Sequence, residues 1–192
     1  MIRIGFTGCP GTGKTSTARA MSAYCSQTEN YKRVELIPEY ARRYIAKYGP
    51  INTLADQYRI MEKQIQWEDT VSVSDTNLLI SDSPIHMGWL YVMEFFPLKT
   101  SKDLMYSNDI FKRLNKLNYP SRYGIVFHLP PILDPIRDGV RADHHFDQVW
   151  RKEADEKIKI IFKMFPPLKF IEIKSTRMVD RVEECFKYLS EM

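Results

Sequence analysis

The chain has 192 residues, 44% of them hydrophobic and 27% charged, and 28 basic against 24 acidic side chains leave a formal net charge of +4. Such a composition describes an ordinary globular chain, long enough to bury a sizeable core, with a length that suits one domain (1–192) carrying an inserted lid. It excludes a basic tail that coats nucleic acid, and no apolar run approaches the roughly 18 residues that a membrane span requires. Cys9, Cys25 and Cys185 are odd in number and lack metal-ligand spacing, which points to reduced thiols in a cytosolic compartment. No signal peptide precedes the first strand, so a cytoplasmic location is expected.

Ile2, Ile4 and Phe6 alternate with Arg3 and Gly5 in a short strand, and Ser16 to Ala23 is rich in helix formers. Between them lies Gly8-Cys9-Pro10-Gly11-Thr12-Gly13-Lys14-Thr15, which fits the phosphate-loop pattern of glycine, four residues, glycine, lysine and serine or threonine. Glycines let the backbone curl so that successive N–H groups point inward, and the following helix N-terminus adds partial positive charge toward the same anion. Gly8 through Ser16 are therefore expected to hold the phosphates of ATP, with Lys14 on the β- and γ-phosphates and the Thr15 hydroxyl on Mg²⁺. Cys9 either fills the loop as a small residue or has a thiol of lowered pKa near the helix N-terminus, and the loop-filling role is the expected one.

Val34, Leu36 and Ile37 read as a second strand ended by Pro38, and a short helix follows as far as Gly49-Pro50. Glu39 and Arg43 then stand about one turn apart at a strand's C-terminal end, the edge that carries the ligand crevice in open α/β sheets. Glu39 with Arg42 or Arg43 is the expected acceptor-site group. Thr53 and Asp56, in capping-box spacing, open a long amphipathic helix to about Val73, whose Tyr58, Met61 and Trp67 serve as core or acceptor-pocket wall. Asn77 to Asp82 is a buried strand ending in a carboxylate, which makes Asp82 the expected partner of Mg²⁺. Ser83-Pro84 is expected to open an apolar helix with proline in its first turn.

Thr100 and Asp103 begin a further helix to Asn118, and Ile125 to Phe127 form the fourth strand. The proline-interrupted segment after His128 is a loop or lid over about 130–145, in which Arg137 and Arg141 are placed to neutralise charge developing during phosphoryl transfer. His144-His145 has no third or fourth ligand at a useful spacing, so no metal site is expected there. A helix from Phe146 to Met164 with Val149 on its apolar side, a strand at Phe170 to Ile173, and a last helix capped by Ser175 with Val179 and Val182 facing inward complete the chain. Five strands alternating with helices predict a three-layer α/β sandwich with a parallel sheet, and bringing the phosphate loop beside Asp82 requires their two strands to be neighbours, which an order of 2-3-1-4-5 satisfies.

The phosphate loop, the block Pro38-Glu39-Tyr40-Ala41-Arg42-Arg43-Tyr44-Ile45, the strand ending at Asp82 and the Asp138-Gly139-Val140-Arg141 lid resemble the kinase domain of the nicotinamide riboside kinase family, of the bacterial NAD-biosynthesis regulator type, over about 1–156. Related small proteins of bacteriophages are similar. The resemblance implies an ATP- and Mg²⁺-dependent kinase, with Lys14 and Thr15 on phosphate and metal, Glu39 and Arg42 at the acceptor, Asp82 near the metal, and Arg137 and Arg141 in the lid. The chain has no room for the nucleotidyltransferase and DNA-binding domains that accompany the kinase there, so the acceptor is not carried over with the resemblance. A nucleoside- or nucleotide-like hydroxyl is the expected acceptor. Hydroxymethylated pyrimidines in DNA are a second candidate, and an accessory ATPase without a small acceptor is a third reading. Either Glu39 or Asp82 is the general base.

Overall fold

The computed structural model describes residues 1–72, 75–95, 97–119, 121–135 and 147–192. Its strands are β1 (Ile2–Thr7), β2 (Val34–Ile37), β3 (Leu78–Ser81), β4 (Ile125–His128) and β5 (Lys169–Glu172). Its helices are α1 (Lys14–Ser26), α2 (Tyr40–Tyr48), α3 (Leu54–Ser72), α4 (Gly88–Glu94), α5 (Ser101–Leu117), α6 (Gln148–Met164) and α7 (Met178–Ser190). The sheet is parallel throughout and ordered β2-β3-β1-β4-β5, the expected order, with β1 and β3 neighbours as the phosphate loop and Asp82 require.

Period-two alternation along the central strand divides the core between two faces. On β1, Ile4 and Phe6 are fully buried against Ala18 and Met21 of α1 and Val182 and Leu189 of α7. On the opposite face, α3, α4, α5 and α6 gather Met61, Leu90, Ile110, Leu114 and Ile158 into a second apolar cluster. Helices on both faces follow from parallel pairing, since each crossover must return over the sheet. The β1–β3 register, with Gly5 opposite Ser81, brings the C-terminal ends of both strands to one edge. The phosphate loop and Asp82 leave the sheet at that edge.

Both capping signals form. Thr100 accepts from the Asp103 N–H at 3.1 Å, and the Asp103 carboxylate accepts from the Thr100 N–H at 2.9 Å. The Asp56 N–H donates to the Thr53 hydroxyl at 3.1 Å at the start of α3.

The segment after Ser83 departs from expectation. Pro84 takes an extended ψ of 146° and precedes a single 3₁₀ turn, Ile85–Met87, before α4 begins at Gly88. The cause is tertiary. A β-carbon on Gly5 would stand 2.4 Å from Pro84 Cγ, so the proline ring is packed hard onto β1. The Ile85 N–H donates to the buried Tyr123 hydroxyl at 3.0 Å. That hydroxyl donates in turn to Glu68, which also accepts from Ser81 at 2.9 Å and from Arg122 at 3.0 Å. The backbone of this turn is therefore held by a satisfied buried network rather than by helix propensity.

Two further expectations need correction. Ser175 does not cap the last helix: α7 starts at Met178 with Arg177 before it, and Ser175 instead donates its N–H to Glu184 at 3.0 Å and accepts from Arg181 Nε at 2.9 Å. On α6, Asp147 is the N-cap, accepting from the Val149 and Trp150 N–H groups, and Val149 is 65% exposed because the buried stripe runs through Arg151, Ala154, Asp155 and Ile158. Val179 of α7 is likewise exposed. Phe146 and the His144-His145 pair lie outside the described residues.

Candidate active site

The chain leaves β1 at Thr7, curls through Gly8 to Gly13 and enters α1 at Lys14. Gly8 has φ +146°, and a β-carbon there would meet the Leu129 carbonyl oxygen at 2.3 Å, so only glycine lets the loop pass β4 this closely. Gly13, at φ +87°, makes the left-handed step that turns the loop into the helix. Inside the curl, the Cys9 carbonyl accepts from both the Thr12 hydroxyl and Lys14 Nζ, each at 3.0 Å. Lys14 is buried within the loop it is expected to serve. Cys9 is fully buried, and burial pushes its thiol up from the ordinary 9.0 despite Lys14 and Arg151 nearby. Full burial and the raised thiol agree with Cys9 as a packing residue.

Two arginines hold the loop from behind, and the sequence reading missed both. Arg181 of α7 donates Nη1 to the Thr12 carbonyl at 2.9 Å and Nε to Ser175, fastening the last turn of the loop to the C-terminal helix. Arg151 of α6 is fully buried, contacts the Cys9 thiol, and donates to the Leu133 carbonyl at 2.9 Å at the foot of the expected lid. The available signal was weak in each case: one arginine inside an otherwise apolar helical stripe.

Across the edge, Asp82 follows β3 directly, and its N–H donates to the Ile37 carbonyl at 2.9 Å. Its side chain is 3% exposed and faces Thr15, and Oδ1 is buried with no partner among the described residues. Burial first, and then the neighbouring Glu39 carboxylate, raise its pKa above the ordinary 3.8, against the lowering effect of Thr15, Lys14 and Arg42. Glu39 sits at the N-cap position of α2, is 9% exposed, and pairs with Arg42 Nε at 3.3 Å. Arg43, the other expected partner, places its guanidinium over the Trp67 ring at 5.7 Å instead.

Lys14, Thr15 and Ser16 thus face Glu39, Arg42, Arg43 and Asp82 across a single cleft of about 560 Å³, with Gly11 and Gly13 on its floor. Arg19, one turn beyond Thr15 on α1, joins the same lining. Beyond Glu39 a narrow recess continues between α3 and the Ile85–Met87 turn. Arg137 and Arg141, the expected lid pair, lie outside the described residues. Among the described residues no group of three or more His, Cys, Asp or Glu side chains is placed to hold a metal. Magnesium asks for less. It is commonly bound through one or two protein oxygens, with phosphate and water completing the octahedron, and the Thr15 hydroxyl beside the orphaned Asp82 Oδ1 fits that demand.

Residues 3–181 match the family model described as AAA domain, and the chain belongs to that family. A search of curated proteins found no match. Among solved structures, the chain is similar to NadR protein in complex with NR, with a TM-score of 0.71 at 15% identity over 99% of this chain and 49% of that one. It is similar to thymidylate kinase from Ehrlichia chaffeensis, with a TM-score of 0.65 at 18% identity over 98% of both chains. It is also similar to deoxyadenosine kinase from M. mycoides with bound dATP, with a TM-score of 0.58 at 14% identity over 99% of this chain and 100% of that one. The chain spans about half the length of the NadR protein. Its fold is that of the phosphate-loop nucleoside and nucleotide kinases. No described helix is long and apolar enough to cross a membrane.

Proposed function

We propose that the chain is an ATP-dependent kinase that moves the γ-phosphoryl group of ATP to a hydroxyl of a nucleoside- or nucleotide-like acceptor. The observation that carries this reading is the meeting of the phosphate loop with two buried carboxylates, Glu39 and Asp82, in one cleft. The cleft of about 560 Å³ leaves room for an acceptor beside the phosphates, with Glu39 and its partner Arg42 on its wall, which favours a kinase over an accessory ATPase.

The two carboxylates have different surroundings, and these suggest different work. Asp82 is buried opposite Thr15 with Oδ1 unpartnered among the described residues, so it belongs with the metal: Thr15 and Asp82 would hold Mg²⁺, whose charge would offset that of the β- and γ-phosphate oxygens. Glu39 stands at the mouth of the recess and is the general base. It takes the proton of the acceptor hydroxyl as that oxygen bonds to the γ-phosphorus, and the bond from the γ-phosphorus to the bridging oxygen breaks, leaving on ADP. Lys14 exchanges the Cys9 carbonyl for phosphate oxygens, and Arg42 orients Glu39. Arg137 and Arg141 are proposed to close over the phosphates from the lid.

Transfer of label from γ-labelled ATP to a nucleoside or nucleotide, dependent on Mg²⁺, tests the reading. Release of inorganic phosphate alone, at a rate no acceptor changes, would assign the chain to the accessory ATPases instead.

A further inference from the structure

Arg151 of α6 carries a charge that the fold does not answer. The residue is fully buried. Its guanidinium donates Nη2 to the Leu133 carbonyl at 2.9 Å and Nη1 to the Gln148 side-chain oxygen at 3.4 Å, and both acceptors are neutral. Nε is buried with no partner, and no carboxylate is bonded to Arg151 among the described residues. Asp155, one turn further along the helix, is taken: His128 Nε2 holds it at 2.9 Å and Lys159 Nζ at 2.8 Å. A guanidinium buried without a counter-ion weakens a fold, because the cost of desolvation is not offset by pairing.

The sheet fixes where that charge sits. His128 stands opposite Thr7, the last residue of β1 before the phosphate loop, and Asp155 is bonded to His128. Arg151 lies one turn nearer the start of α6, and its bond to Leu133 puts it beyond the end of β4, on the edge where the loop leaves the sheet. Cys9 of the loop packs in one apolar cluster with Ala154 and Ile158 of α6, and the Arg151 charge acts on its buried thiol. The Cys9 carbonyl, for its part, accepts from Lys14 Nζ at 3.0 Å. One residue of the loop thus separates an unanswered buried cation from the lysine expected to hold the phosphates.

We infer that the missing counter-ion of Arg151 is the polyphosphate of the bound nucleotide, and that the guanidinium attracts it from behind the phosphate loop without touching it. Arg151 is a positioning residue in this account: it costs the empty fold stability and raises the affinity of the loop for phosphate. In the low dielectric behind the loop its charge is screened much less by salt than that of a surface arginine. The inference rests on the phosphate-loop half of the proposed function and is independent of the acceptor.

Isothermal calorimetry and urea titration of the full chain, beside Arg151→Met and Arg151→Lys, test it. Arg151→Met is expected to bind a non-hydrolysable ATP analogue about tenfold or more weakly than the parent, and inorganic tripolyphosphate, which has the phosphates and no base, by the same factor. The ratio of parent to variant affinity is expected to change by less than about threefold between about 0.1 M and about 1 M salt. Without nucleotide, the urea midpoint of Arg151→Met is expected at or above that of the parent, because an unpaired buried charge has been removed. Arg151→Lys keeps a cation there and is expected to recover most of the lost affinity. A urea midpoint below the parent's in Arg151→Met, analogue binding equal to the parent's, or a loss seen with the ATP analogue and absent with tripolyphosphate would each overturn the inference. The expected losses with no phosphate transfer to any acceptor would overturn the kinase reading and leave this inference in place. Transfer by an Arg151→Met variant whose KM for ATP equals the parent's would do the reverse.

Discussion

Thr15 and Asp82 face each other across the gap between the start of α1 and the end of β3, on the lining of one cleft. Sixty-seven residues separate them in sequence, and the parallel pairing of β1 with β3 brings them together. Asp82 Oδ1 is buried and without a partner among the described residues, and with the Thr15 hydroxyl it makes the donor set on which the proposed division of labour rests.

That division separates two variants that would otherwise look alike. Asp82→Asn is expected to raise the Mg²⁺ concentration needed for half-maximal rate by about tenfold or more, because the second metal oxygen becomes neutral. Glu39→Gln is expected to lower kcat by about 10²–10⁴ with ATP affinity little changed, as loss of a general base does. Steady-state kinetics across a Mg²⁺ titration reads both. The same Mg²⁺ dependence in both variants would remove the distinction.

Gly8→Ala places a β-carbon 2.3 Å from the Leu129 carbonyl oxygen at a φ of +146°, against backbone that has no rotamer to escape into. We expect about 3 kcal/mol of destabilisation in urea titration, together with loss of ATP binding, since strained backbone and steric conflict add. A variant as stable as the parent would show that the loop passes β4 with room to spare.

Arg181→Met removes the bond that fastens the Thr12 carbonyl to α7. Hydrogen bonds from charged groups contribute about 1.5–3 kcal/mol, and here the effect falls on the shape of the phosphate loop. The expected outcome is a rise of about tenfold in KM for ATP with a smaller change in kcat. Unchanged ATP kinetics would make Arg181 a support of α7 alone.

His86 gives the fold an acid sensitivity of its own. It is fully buried, stacks on Phe165 with ring centroids 5.3 Å apart, and has both ring nitrogens unpartnered among the described residues. Burial, with Arg122 adding to it, lowers its pKa from 6.5 to about 3. The folded pKa lies below the unfolded one, so between those values the unfolded chain binds the extra proton and stability is lost as pH falls below 6.5. From pH 7.5 to 5 the loss from this group is about 2 kcal/mol. Urea titrations at the two pH values should show His86→Phe losing less stability than the parent by about that amount, and an equal loss in both would exclude His86 as the source.

The parts legible in sequence are those whose signal is local or whose partner is fixed by topology. The phosphate loop announces itself by glycine spacing, Asp82 by its place at the end of an apolar strand, and the sheet order by the need for those two to meet. Arg151 and Arg181 were not legible, because a polar residue in an apolar helical stripe has the same local pattern whether it faces solvent or a loop carbonyl. The Ser83–Met87 turn was misread for a related reason: Gly5 and Tyr123, which hold it, are distant in sequence. The pairing of Glu39 with Arg42 rather than Arg43 is decided by Trp67, which holds the Arg43 guanidinium over its ring.

The most direct test of the central claim is a label-transfer assay with γ-labelled ATP against nicotinamide riboside, deoxynucleosides, deoxynucleoside monophosphates and duplex DNA carrying hydroxymethyl pyrimidines. The expected result is labelled product on a nucleoside or nucleotide acceptor with the unaltered chain, and a loss of about 10³-fold or more with Lys14→Ala. Labelled inorganic phosphate with every acceptor and no labelled product, or transfer that persists in Lys14→Ala, would contradict it.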